Sequence, residues 1–135
     1  EHPEQMPALE SGMYFDADIP VDVMQKEVGN YIKITGASFG KDRQMSGEMT
    51  KMGVNKATGM QRLMDELKIG REDTIAFGDG PNDVEMLQFA GTRVAMGNAI
   101  PAVKQYADMV TDKIDEDGLY LALKKMGLLD ERVES

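Results

Sequence analysis

The stretch most able to do chemistry is GDGPND, in which Asp79 and Asp83 stand four residues apart. It follows the apolar run TIAF, and the glycines at 78 and 80 permit tight turns. In a chain with no cysteine and one histidine, paired carboxylates at a strand end indicate a hard cation held through oxygen. Mg²⁺ fits, because it takes one or two protein carboxylates, water and phosphate oxygens. For these residues alone, a capped Asp-Gly turn is the alternative.

Alternating elements are predicted around this stretch. From Asn55 onward the order is α-β-α-β-α-β-α, which predicts a doubly wound parallel α/β sheet. Ligands bind beyond the carboxyl ends of the strands in such sheets, and Asp79 and Asp83 fall there. The first helix is predicted to turn an apolar stripe inward and to end near Gly70. That stripe consists of Met60, Leu63, Met64 and Leu67.

The N-terminal third has a different pattern. Residues 1 to about 12 are predicted to form a loop. A short helix is predicted over 19–27, after the loop. Two weaker strands are predicted further along, in YIKIT and then in QMSGEMT.

Composition excludes several classes of protein. The 135 residues carry a net charge of −9, which argues against binding duplex nucleic acid, since phosphate neutralisation needs clustered Lys and Arg. No apolar run approaches the roughly 20 residues that span a bilayer, and we expect no signal peptide in the acidic first residues, which lack an apolar stretch. The absence of cysteine is compatible with the cytoplasm, where we expect the protein.

Three separated segments resemble one family in order and spacing. AFGDGPNDVEMLQFAGTRVAMGNA resembles the fourth motif of the haloacid dehalogenase (HAD) superfamily, in its Cof-type (class IIB) sugar-phosphatase branch. GVNKATGMQRLMDEL resembles the third motif, and VKQYADMVTDKIDEDGLYLAL the closing segment. The resemblance implies a Rossmann-like core and Mg²⁺-dependent hydrolysis of a small phosphorylated metabolite through an aspartyl-phosphate.

Residue roles follow from the same resemblance. Asp79 resembles the acid that ligates Mg²⁺ directly, and Asp83 the second acid, which binds through water or orients the first. Asn82 resembles a contact to the phosphate, and Asn98 is expected near the substrate mouth. Lys56 resembles the catalytic lysine that pairs with the nucleophile and neutralises the transferring phosphoryl group.

The nucleophile of the family, an aspartate in a DxDGT-like motif, has one candidate here. Asp16 and Asp18 in MYFDADIP mimic it, but Ile19-Pro20 replaces the Gly-Thr that makes the loop. Only about 40 residues separate Asp16 from Lys56, too few for the intervening elements. We therefore reject this candidate.

Without a nucleophile, the chain resembles the C-terminal portion of a longer phosphatase. Residues 1–53 are then the C-terminal remnant of an α/β cap, and residues 54–135 the C-terminal part of the core. We expect the chain alone to be inactive. The strand ending at Phe77 would expose an apolar edge, which predicts self-association or binding of a missing N-terminal segment.

Two other interpretations stay open. P-type ATPase phosphorylation domains share GDGxND followed by AMG, although here VEML stands in place of an APAL-like run. A non-catalytic HAD-like module that binds Mg²⁺, a phosphorylated ligand or a partner is the other.

Overall fold

The computed structural model describes residues 11–15, 18–36 and 45–129. Asp16 and most of the predicted N-terminal loop lie outside these residues. The strands are β1 Ser11–Phe15, β2 Ile32–Gly36, β3 Ser46–Lys51, β4 Ile75–Gly78, β5 Thr92–Ala95 and β6 Met109–Val110. The helices are α1 Val21–Val28, α2 Lys56–Leu67, α3 Val84–Phe89, α4 Pro101–Lys104 and α5 Gly118–Lys125.

The C-terminal sheet is parallel, in the order β4-β5-β6. Helices α2 to α5 alternate with its strands, which confirms the predicted α/β alternation around a parallel sheet. Leu87, Val94 and Val103 are its largest fully buried side chains. In the part of the chain that the structure describes, β4 pairs with β5 alone, so its other edge carries no strand there.

The N-terminal sheet is antiparallel, in the order β1-β3-β2. Its β2–β3 register sets Lys33 opposite Thr50 and Thr35 opposite Glu48, so these four polar side chains share one face. Helix α1 packs beside β2, where the Gln25 side chain donates to the Ile32 carbonyl oxygen (2.9 Å) and accepts from the Ile34 N–H (2.7 Å).

The N-terminal loop was predicted to end at about residue 12, and the described chain is already a strand at Ser11. This segment is a strand because it pairs with β3, which begins 35 positions later at Ser46. The chain passes from the antiparallel sheet to α2 between Lys51 and Lys56. Assignment of the two parts to a cap and a core stays a prediction.

The apolar stripe of α2 is only partly covered. Met64 is buried and Met60 is partly buried, but Leu63 and Leu67 are each 59% exposed. The helix ends at Leu67, before the predicted Gly70, with Lys68 in the left-handed conformation (φ 56°). Along the described chain, the structure contains no helix long and apolar enough to cross a membrane.

Candidate active site

The turn after β4 is closed by one of its own acids. Asp83 is 4% exposed, and its Oδ2 accepts the backbone N–H groups of Asp79 (2.9 Å) and Gly80 (3.0 Å). Its Oδ1 accepts a hydrogen bond from Lys56 Nζ at 2.5 Å. Glycine is needed at position 78, because a Cβ there would lie 2.6 Å from the Asp83 Cβ. Asp83 therefore holds the shape of the turn.

These contacts also set the charge state of Asp83. Burial alone would raise its pKa, but the Lys56 hydrogen bond, the N–H groups of Gly80 and Asp79, and the Lys56 charge together lower the pKa below its ordinary value. The carboxyl group is consequently an anion at neutral pH.

Lys56 reaches Asp83 from the first position of α2. Asn55 caps this helix, accepting from the Thr58 N–H (2.9 Å) while the Thr58 hydroxyl accepts from the Asn55 N–H (3.0 Å). A cation at a helix N-terminus opposes the helix dipole. The ion pair with Asp83 offsets that cost. The structure thus brings together two predicted site residues that lie 27 positions apart.

Asp79 lies exposed at the end of β4. Its Oδ2 accepts a hydrogen bond from Asn98 Nδ2 (3.1 Å), and Asn98 Oδ1 accepts the Ile114 N–H (3.1 Å). Among the described residues, no group donates to Asp79 Oδ1. Asn98, predicted near the substrate mouth, lies against the predicted metal-binding acid.

Asn82 contacts the antiparallel sheet, since its Nδ2 donates to Glu48 Oε2 (2.9 Å). Nearby, Lys33 forms an ion pair with Glu85, at the start of α3. The sequence reading missed Glu48, Lys33 and Glu85 as site residues. The available signal was the polar alternation in β2 and β3, which predicts one polar face without saying what it meets.

A cavity of about 220 Å³ lies between that polar face and the turn that Asp83 closes. The antiparallel sheet lines one side and the start of α2 another. Its lining residues are Lys33, Thr35, Glu48, Thr50, Val54, Asn55, Lys56, Asn82 and Glu85.

The donor set fits Mg²⁺ at one position. Asp79 offers an exposed carboxylate oxygen of the kind that Mg²⁺ prefers. Asp83 has both oxygens engaged, which suits orienting the turn better than direct ligation. Within residues 11–15, 18–36 and 45–129 there is no cluster of three or more His, Cys, Asp or Glu able to hold a metal. The strand before Asp16, β1, belongs to the antiparallel sheet and does not pair with β4.

Comparison with known proteins gives concordant matches. The chain is 45% identical over 86 residues to the putative phosphatase YkrA of Bacillus subtilis, matching 64% of this chain and 34% of that protein. It is 53% identical over 78 residues to the 5-amino-6-(5-phospho-D-ribitylamino)uracil phosphatase YitU of the same organism, matching 58% and 29%. The structure of the HAD subclass IIB sugar phosphatase BT4131 superposes with a TM-score of 0.69 at 35% identity, covering 82% of this chain and 42% of that one.

The chain spans about a third of the length of these curated phosphatases. Neither the P-type ATPase interpretation nor the non-catalytic one is favoured by these matches. The family model for haloacid dehalogenase-like hydrolases matches residues 11–123. The chain therefore belongs to the haloacid dehalogenase-like hydrolase family.

Proposed function

We propose that this chain supplies the metal and lysine half of a Mg²⁺-dependent phosphatase site. The reaction would be hydrolysis of the phosphomonoester of a small metabolite through an aspartyl-phosphate. One observation supports this most: Lys56 is held on Asp83, next to the exposed Asp79 at the carboxyl end of a parallel strand.

Each residue then has a chemical task. Asp79 would ligate Mg²⁺, and Asp83 would keep the turn and Lys56 in place. Lys56 would neutralise the phosphate oxygens as a point charge, and Asn82 would contact the phosphate after leaving Glu48. When bound, Mg²⁺ adds positive charge against the same oxygens.

The nucleophile in this proposal lies on a segment of the protein other than this chain. The sequence contains no DxDGT motif, and β1, the strand before the rejected Asp16, pairs in the antiparallel sheet. The unpaired edge of β4 in the described part would receive the strand that bears the nucleophile, or a second copy of the chain. The chain alone is then inactive.

The cavity would hold the leaving group. Lys33, Thr35, Glu48 and Thr50 line it from the antiparallel sheet, so it offers hydroxyl groups and both signs of charge. This lining suits a polar metabolite, and residues 1–53 would act as the part of a cap that faces the site. A net charge of −9 favours neither nucleic acid nor anionic surfaces as partners. We also propose that the protein is cytoplasmic, which the absence of cysteine allows.

A chimera tests the proposal. The part of YitU that precedes its matched segment is joined to this chain, and hydrolysis of an aryl phosphate is measured with and without Mg²⁺. We expect Mg²⁺-dependent turnover by the chimera and none by the chain alone. Lys56→Met and Asp79→Asn should each reduce turnover at least about 100-fold.

Matched controls are Lys125→Met and Asp65→Asn, which remove the same charges at exposed positions away from the site. Turnover by the chain alone that is lost on Asp16→Asn would overturn the proposal. A folded chimera without turnover would favour the non-catalytic binding module.

A further inference from the structure

We propose that Asn98 is a positioning residue that orients the Asp79 carboxylate and is itself fixed by the segment after β6. The inference rests on the proposed function, because Asp79 matters there as the metal-binding acid. It assigns Asn98 a task different from contact with substrate.

The backbone of Asp79 is already fixed by the neighbouring strand end. Met96 N–H donates to the Gly78 carbonyl oxygen (3.0 Å), and Ile100 N–H donates to that of Asp79 (3.1 Å). With the Asp79 N–H bound to Asp83, the remaining freedom lies in the side-chain torsions of an exposed residue. Among the described residues, Asn98 alone donates to that carboxylate.

The Asn98 amide is held at both ends. Its Nδ2 donates to Asp79 and its Oδ1 accepts from Ile114, so a flipped amide would set an oxygen against a carboxylate and an N–H against an N–H. This double use fixes the direction of the amide.

The segment after β6 lies close enough to serve as its support. Gly97 N–H donates to the Asp112 carbonyl oxygen (3.1 Å), and a Cβ at Gly97 would lie 2.6 Å from the Asp112 carbonyl carbon and 2.7 Å from the Thr111 oxygen. Only glycine permits this approach. Hydrogen bonds thus link the segments that follow β6, β5 and β4, from Ile114 through Asn98 to Asp79.

The consequence for metal binding is specific. Asn98 donates to Oδ2, and no described group donates to Oδ1, so Oδ1 would be the oxygen available to a cation. Partners of this kind that orient a ligand are typically worth 10- to 100-fold in metal affinity. Loss of Asn98 should therefore weaken binding without removing the ligand.

The test uses two variants and their combination. Asn98→Ala removes both hydrogen bonds of the amide. Ile114→Pro keeps the Asn98 side chain, removes the N–H that Asn98 Oδ1 accepts and replaces the exposed Ile114 side chain. Ile114 is the first residue of a 3₁₀ turn, and Lys113 before it is extended (φ −69°, ψ 163°), as proline requires. The readouts are the Asp79 ¹³Cγ shift without metal and Mn²⁺ affinity from paramagnetic broadening.

We expect Asn98→Ala to weaken Mn²⁺ binding about tenfold and Ile114→Pro about threefold, with the double variant no weaker than Asn98→Ala. Ile114→Pro should shift Asp79 ¹³Cγ, but not in the Asn98→Ala background. Gln61→Ala, which removes an exposed amide bond to Asp65 (2.8 Å), is the matched control and should change neither readout.

Unchanged Asp79 shifts and affinity in Asn98→Ala would overturn the inference, as would additive effects of the two substitutions. If Mn²⁺ fails to broaden Asp79 in the wild-type chain while Ile114→Pro still shifts it through Asn98, the positioning role stands. The proposed metal-dependent function would then be the part that fails.

Discussion

The two sheets present their polar residues to the cavity in different ways. At the parallel sheet, backbone hydrogen bonds join the strand ends, and the buried Asp83 closes the turn from inside. The antiparallel sheet meets that turn through partly exposed side-chain pairs, Lys33 with Glu85 and Glu48 with Asn82. We expect the parallel half, which holds the turn proposed to bind metal, to be the more rigid, and the antiparallel half, which lines the proposed leaving-group cavity, to adjust more easily.

Burial follows the same division. The three largest fully buried side chains lie in the parallel part, whereas Tyr14 and Ile34 are the buried hydrophobic residues described in the antiparallel part. Since burial of apolar surface dominates stability, most of the folding free energy should come from the parallel part.

The largest loss of stability should come from a substitution that creates a cavity in the core beside the parallel sheet. Leu87→Ala removes a fully buried side chain between β4, β5 and α4, so the free energy of unfolding should fall by about 3 kcal/mol. Urea denaturation measures this. Leu63→Ala, at a position 59% exposed, is the control and should cost far less. Equal costs for the two would contradict the division.

The next effect concerns Asp83. Asp83→Ala leaves two N–H groups and Lys56 without their acceptor, so the free energy of unfolding should fall by about 2–3 kcal/mol. Asp79→Ala should cost much less, because the Asp79 carboxylate is exposed and makes one hydrogen bond to a described residue. Urea denaturation of the two variants decides whether Asp83 supports the turn.

The lowered pKa of Asp83 predicts an acid-sensitive turn. A carboxyl group with a depressed folded pKa contributes stability above its unfolded pKa of about 3.9 and loses it as pH falls through the folded value. Below about pH 4, the unfolding free energy of wild type should fall more steeply than that of Asp83→Asn. Lys56→Met should also flatten the slope, since Lys56 helps to lower this pKa. Parallel slopes, measured in metal-free buffer, would refute this.

The smallest effect should come from the ion pair that joins β2 of the antiparallel sheet to helix α3. Lys33 and Glu85 are each partly exposed, so a double-mutant cycle to alanine should give about 0.5 kcal/mol of coupling. Hydrogen exchange should rise in β2 and β3 and stay unchanged in β5. The exposed pair Arg93–Asp108 serves as the control cycle. Exchange that rises equally in both sheets would contradict an adjustable half.

The parallel part was predictable because its elements are local. Short local patterns in the sequence predict both the helix–strand alternation after Asn55 and the turn at Asp79. The family resemblance assigned Lys56 and Asp83 to one site, but it predicted a nucleophile as the partner of Lys56, so the ion pair between Lys56 and Asp83 was not predicted. The apolar face of α2 that was predicted to be buried included Leu63 and Leu67, which are exposed. Helical spacing does not show which neighbouring elements cover a side chain.

The antiparallel part was less predictable because its contacts are distant in the sequence. β1 becomes a strand through β3, and Glu48 reaches Asn82 across 34 positions. Asn98 was predicted as a site residue, but its hydrogen-bond partner Ile114 was not, because a backbone N–H donor cannot be recognised from the residue type. The alternation of residues in β2 and β3 predicts a polar face on this sheet. The residues that this face contacts, Asn82 and Glu85, are visible only in the three-dimensional structure.

We propose above all that Asp79 is the metal ligand and that Asp83 supports the turn that carries it. Magnesium titration of Asp79→Asn and Asp83→Asn, followed by backbone amide shifts at residues 78–83, tests it most directly. We predict that Asp79→Asn abolishes the Mg²⁺-dependent shifts while keeping wild-type stability, and that Asp83→Asn lowers stability and weakens binding without abolishing it. Unchanged Mg²⁺ shifts in Asp79→Asn would contradict the account.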